Sequence, residues 1–152
     1  CIRDSVLGTK RFDDAFREYI HRWAYKHPAP DDFFRTMEDV SGEDLGWFWR
    51  SWVLNNWKLD QAVTNVKYVN NNPENGAIVT LKNMREIPMP ITIEITTEGG
   101  KKIRKSLPVE IWKKNIEWSF LVESKEAYKK IVVDPDYVYP DVNGNNNYWR
   151  AQ

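Results

Sequence analysis

Two histidines, one cysteine, six serines and a scatter of paired carboxylates are the side chains of this 152-residue sequence that could do chemistry. His21 and His27 are six positions apart, which on one continuous helix places them about 240° apart around the axis. They do not converge on one ion, no H-E-x-x-H is present, and neither has an acidic partner at a zinc-ligand spacing. Ser5, Ser41, Ser51, Ser106, Ser119 and Ser124 all lack the G-x-S-x-G context of a nucleophile elbow. Cys1 has no base beside it in sequence, and a single cysteine excludes both an internal disulfide and a cysteine-based zinc site.

The carboxylates divide into two kinds. Asp13-Asp14, Asp31-Asp32 and Glu43-Asp44 each fall near the start of an expected helix, where the positive end of the dipole accounts for them. Asp134-x-Asp136 and Asp141-x-Asn143-Gly144-Asn145 are oxygen-rich enough to suggest a hard cation. In the second, however, the glycine comes too early for an EF-hand loop and no terminal glutamate follows, so an Asx-turn tail is the competing reading. No catalytic, cofactor-binding or metal-ligating residue is assigned on these grounds.

The elements that must carry these side chains change character near residue 59. Before it the apolar spacing is helical: Phe12, Phe16, Tyr19, Ile20 and Trp23 form one face, with Thr9 or a neighbour as cap. His27-Pro28-Ala29-Pro30 stops that helix, and Pro30 opens a second one carrying Phe33, Phe34 and Met37 and ending near Gly42. Ser41-x-x-Asp44 reads as a capping box for a third helix with Leu45, Phe48, Trp49, Trp52 and Val53 inside. Ile2, Val6 and Leu7 have helical spacing too, so a chain that opens at Cys1 reads as an excised piece beginning in the tail of a helix.

Beyond residue 59 the period is two. Expected strands cover residues 62–69, 77–83, 91–97, 102–107, 109–113, 116–122 and 130–134, with turns at Asn70–Gly76, Glu98–Lys101 and Lys113–Asn115. On the fifth and sixth, Trp112 and Trp118 join Ile116, Phe120 and Val122. The expected architecture is α+β: a helical subdomain of three or four short helices over 1–58, an antiparallel immunoglobulin-like β-sandwich over 59–140, and an irregular tail over 141–152. About 150 residues make one domain or two small ones, long enough to hold a core without metal or disulfide.

Acidic and basic residues balance at 22 each, so a nucleic-acid or polybasic membrane surface is not expected. No apolar run approaches the ~18 residues of a membrane span. The eight tryptophans are the outlier. Trp23, Trp49 and Trp52 read as helix core and Trp47 and Trp57 as filling a seam between helices and sheets. A row of strand tryptophans around Trp112 and Trp118 would suit stacking on sugar rings, so a carbohydrate-binding or protein-interaction module is the alternative reading.

Three stretches of the helical region carry a resemblance: Phe12–Pro28 (FDDAFREYIHRWAYKHP), Asp31–Asp39 (DDFFRTMED) and Asp44–Trp52 (DLGWFWRSW). Together they resemble the end of the catalytic region in aminopeptidase N-like zinc metallopeptidases of bacteria. Asp134-Pro135-Asp136…Tyr139-Pro140-Asp141-Val142-Asn143 is similar to the ending of a bacterial subgroup. The resemblance covers residues 1 to about 62 closely and the β region loosely. It implies that the zinc ligands, general-base glutamate and transition-state tyrosine lie upstream, and no position here matches them. It implies a non-catalytic C-terminal portion whose zinc belongs to the intact parent, whose partners are the upstream catalytic domain and the parent's peptide substrate, and whose exposed apolar edge (Trp47, Trp57, Ile2/Val6/Leu7) could drive self-association. Arg35 or Arg50 would line the far wall of a peptide channel, against the simpler reading of solvated helix arginines. Relatives of this kind are often exported, which implies the periplasm or cell surface.

Overall fold

The computed structural model describes residues 2–151; Cys1 and Gln152 lie outside the described residues, as do the side chains of Ile2 and Asp4. The expectations placed on Cys1 and on the Ile2 side chain therefore fall outside them. The chain divides into two compact units, Cys1–Asn56 and Trp57–Gln152.

The first unit is helical. A single π-helical turn, Ile2–Val6, leads into α1 (Thr9–Trp23), followed by α2 (Pro30–Ser41) and the short α3 (Gly46–Trp52). Thr9 is not the cap of α1. Gly8 holds that place at φ 80°, and Thr9 is the first helical residue. Pro30 opens α2, where its missing N–H is no loss, and Asp32 reaches back to accept the Ala29 N–H at 2.8 Å. Gly42 closes α2 in the left-handed conformation, its N–H donating to the Glu38 carbonyl.

The capping box at Ser41-x-x-Asp44 does not form. Leu45 is the N-cap of α3. Ser41 instead accepts the Glu43 N–H within the connecting turn, and Asp44 accepts the Gly46 N–H at 3.0 Å. Both side chains bond two residues ahead, the short-range habit that makes Ser and Asp turn formers as readily as caps. The apolar faces are also less covered than their spacing implies. Phe16 and Ile20 are 43% and 51% exposed, and Val53 is 55% exposed just past α3. Only Ala15 is fully buried along α1, because the aromatic packing of this unit centres on α2 and α3. Trp49 stacks on Phe34 at 4.6 Å and meets Phe33 and Phe48 edge-on, while Tyr19 joins through a T-shaped contact with Phe33.

The second unit is built of seven strands among the described residues, in two antiparallel sheets. These are β1 (Gln61–Tyr68), β2 (Ala77–Asn83), β3 (Ile91–Thr97), β4 (Lys102–Leu107), β5 (Glu117–Val122), β6 (Tyr128–Val133) and β7 (Tyr148–Arg150). One sheet runs β1-β2-β5 and the other β4-β3-β6-β7. The whole chain is thus of α+β class. Val79, Leu81 and Val122 from the first sheet share a core with Ile91, Ile93, Ile95, Ile131 and Val133 from the second. Alternation explains it: every second residue of β3 is buried, and Ile91, Ile93 and Ile95 all take that face.

Two strand expectations fail. Residues 109–113 do not form a strand; Val109–Trp112 is a 3₁₀ turn after Pro108. Pro108 cannot donate to a ladder, and the Trp112 indole N–H is drawn inward to the Met89 carbonyl at 2.8 Å, where the Gln61 amide also donates. Conversely, the tail contains a strand. β7 pairs with β6 as Ile131 faces Trp149 and Val132 faces Tyr148. Ile116 precedes β5 and is 66% exposed, so it does not share the inward face of Val122.

Tyrosines tie one sheet to the other. The Tyr128 hydroxyl on β6 donates to the Val122 carbonyl on β5, and the Tyr128 N–H donates to the Tyr68 hydroxyl on β1, both at 2.7 Å. The segment before β7 fastens to the start of β1: Val142 N–H donates to Leu59 O, Gln61 N–H to Asp141 Oδ2, and Val63 N–H to Asn146 O.

Candidate functional site

Most of the paired carboxylates are already engaged. Asp13 accepts from Arg3 at 3.1 Å, and that hydrogen bond holds its carboxyl below the ordinary aspartate range. Asp14 accepts from Lys10 at 2.7 Å, with Arg17 at 3.1 Å, and is lowered for the same reason. Glu43 pairs with Arg11. Such surface pairs contribute little to stability, but they commit Asp13, Asp14 and Glu43 to basic partners.

Four more of the serines are absorbed as well. Ser51 donates to the Trp47 carbonyl, Ser119 pairs with Thr80, Ser106 with Thr92, and Ser124 with the Glu126 backbone. His21 and His27 are both exposed, and no hydrogen bond or ion pair joins them to any acid among the described residues. Arg35 and Arg50 are exposed on α2 and α3.

The two oxygen-rich motifs resolve differently. Asp134, buried at φ 47°, accepts the Val138 and Tyr139 N–H groups on its two oxygens, and Asp136 forms a two-pronged pair with Arg104 at 2.9 and 3.0 Å. Asp141 accepts the Gln61 and Asn143 N–H groups. Each carboxylate serves a turn or a pair, and among the described residues no three of His, Cys, Asp and Glu gather as metal ligands. A catalytic zinc needs three protein ligands and an open position, and no group of the described residues supplies that set.

Two adjoining clefts of about 580 and 560 Å³ open on the second unit and share Lys101, Leu121 and Glu123. The first is also lined by Ser124, whose hydroxyl is engaged by the Glu126 backbone rather than by a carboxylate. Trp112 is 8% exposed and hydrogen-bonded inward, while Trp118, Phe120 and Trp149 pack against the core, so these residues do not form an open stacking row. Trp47 is half-buried with its ring edge-on to Phe48, and Trp57 is 38% exposed. Leu7, expected on an exposed edge, is 3% exposed.

One polar centre has no signature in the sequence. A single oxygen of Glu38 accepts both the Leu45 N–H at 3.1 Å and the Trp49 indole N–H at 3.2 Å, so α2 holds the N-cap of α3 and its central ring together. A glutamate near the end of an amphipathic helix ordinarily reads as a solvated residue. Only the fold of α3 back onto α2 reveals its role.

Among known proteins, no family model matches this chain. Over 49 residues, 32% of its length, it is 35% identical to each of two rice proteins (Oryza sativa subsp. japonica), Aminopeptidase M1-D and Aminopeptidase M1-C. The match spans 6% of each of those relatives. A third of the chain therefore carries a weak likeness to aminopeptidases.

Proposed function

We propose that this chain is a non-catalytic, C-terminal portion of a zinc aminopeptidase of the bacterial aminopeptidase N kind, with a structural role in shaping access to the parent's cleft. The observation that carries the reading is the 49-residue likeness to two aminopeptidases. The exposed Phe16, Ile20, Val53 and Leu54 of the helical unit support it, since apolar groups of this size are suited to docking on a larger body. In this reading the second unit is an immunoglobulin-like sandwich, the partners are the upstream catalytic domain and the peptide substrate, and the zinc sits outside this chain. The same apolar groups would let the chain self-associate in isolation, and the parent would act in the periplasm or at the cell surface. In a zinc aminopeptidase, hydrolysis runs through a water that the metal activates by lowering its pKa, so in this reading the chemistry is assigned to the upstream domain.

The test has two arms. The coding sequence upstream of Cys1 should contain an H-E-x-x-H followed by a downstream glutamate, and the chain itself should not release nitroaniline from aminoacyl nitroanilides with zinc added. Chelator-sensitive turnover by this chain, or an upstream region without such a motif, overturns the proposal.

A further inference from the structure

The sequence holds two Asn-Gly pairs, Asn75-Gly76 and Asn143-Gly144, and the fold treats them oppositely. The chemistry open to such a pair is intramolecular. The glycine backbone nitrogen, once deprotonated, attacks the asparagine side-chain carbonyl carbon. A new C–N bond closes a five-membered succinimide, the C–NH2 bond breaks, and ammonia leaves. Water then adds to either ring carbonyl, the C–N bond at that carbonyl breaks and the nitrogen takes up a proton, giving aspartate or isoaspartate with no oxidation or reduction. Glycine favours the reaction because it has no side chain to obstruct the approach, so what remains is whether the nitrogen and the amide are free to meet.

At Asn75-Gly76 they are not. The Gly76 N–H donates to the Pro73 carbonyl at 3.1 Å, and the Asn75 amide donates to the Val69 carbonyl at 3.4 Å. Gly76 is buried so closely that an added Cβ would lie 2.5 Å from the Val122 carbonyl oxygen. The pair closes the connection between β1 and β2, so bringing nitrogen and carbonyl together requires that connection to open.

At Asn143-Gly144 both are. The Gly144 N–H donates no hydrogen bond among the described residues, and an added Cβ there would meet nothing within 4 Å. Among the described residues the Asn143 side-chain amide has no hydrogen-bond partner either, while its backbone is held by Asp141 and by the turn closed from Asn146 N–H to Asn143 O. We propose that Asn143 is a site of spontaneous deamidation through Gly144, and that the turn around Gly76 protects Asn75. The reaction would fall inside the segment that fastens to β1. Isoaspartate would add a methylene to the main chain between the Asp141 and Asn146 attachments, and either product would put a second carboxylate beside Asp141.

The experiment incubates the folded full chain in mildly alkaline buffer and follows two tryptic peptides, Ile131–Arg150 and Tyr68–Lys82, against a zero-time sample. The first should gain one mass unit and separate into aspartyl and isoaspartyl products. The second should react at least about tenfold more slowly, the factor that ~1.4 kcal/mol of opening free energy imposes. In strong urea the two should react at comparable rates. Gly144→Ala should slow the first several-fold while leaving its other asparagines in place. An unchanged Ile131–Arg150 peptide, equal rates in the folded chain, a persistently inert Asn75 in urea, or full reactivity in Gly144→Ala would each overturn the proposal.

Discussion

Removing the Glu38 carboxylate tests how α2 organises the helical unit. Its Oε1 accepts two N–H groups, one from the Leu45 backbone and one from the Trp49 indole, and both donors belong to residues that are almost fully buried. A hydrogen bond to a charged acceptor contributes about 1.5–3 kcal/mol. Two such bonds set an upper figure of about 3–6 kcal/mol, and Glu38 is itself only half-buried, so solvent screening trims this to roughly 2–4 kcal/mol for Glu38→Ala. Glu38→Gln keeps an acceptor oxygen in place without its charge and should lose about half as much. Trp49→Phe made on the Glu38→Ala background should cost less than on the native chain, because the indole N–H it deletes is already unpartnered. The assay is urea unfolding of the full chain followed through the helical circular dichroism signal, comparing midpoints at constant slope. A Glu38→Ala midpoint within about 0.5 kcal/mol of the native one would refute the reasoning, since that is the range of an ordinary surface substitution.

Three further outcomes follow from the packing and the charges. Gly76→Ala should destabilise the chain by about 1–3 kcal/mol from its backbone conformation at φ 79°, and more from the approach to Val122 O, whereas Gly100→Ala, at φ 84° in open space, should show the conformational part alone in the same urea assay. Burial pushes the Tyr128 hydroxyl above its usual value near 10, with Tyr68 adding to the effect, so the folded state keeps that proton longer than the unfolded one. Its contribution is full below the unfolded value and is lost as the pH rises through the folded one; Tyr128→Phe should flatten that alkaline loss in a pH series of melting curves. Asp13 and Asp14 are held low by Arg3 and Lys10, so what they add is present above the ordinary aspartate value and disappears as the pH falls through their lowered ones, an acid loss of α1 helicity that Asp13→Asn with Asp14→Asn should remove.

The parts of this fold that local chemistry dictates were legible in the sequence. Pro30 and Gly42 bracket α2 because one lacks an N–H and the other tolerates a left-handed conformation. Gly99-Gly100 turns β3 into β4, and the isoleucines of β3 face inward at every second residue. What escaped depends on distant partners. Val109 and Ile111 alternate as in a strand, yet the Met89 carbonyl holds Trp112 in a turn from 23 residues away. The asparagine run before Tyr148 reads as loop, and only pairing with β6 makes the last strand. The side chains with catalytic spacing are legible in type but not in use: whether Asp141 faces an ion or the Gln61 N–H is decided 80 residues away.

Zinc content measures most directly whether this chain holds a catalytic zinc of its own. The full chain, equilibrated with zinc and dialysed against metal-free buffer, should retain far less than one zinc per chain by elemental analysis. One zinc held per chain, released by a chelator together with aminoacyl-nitroanilide turnover, would contradict the account.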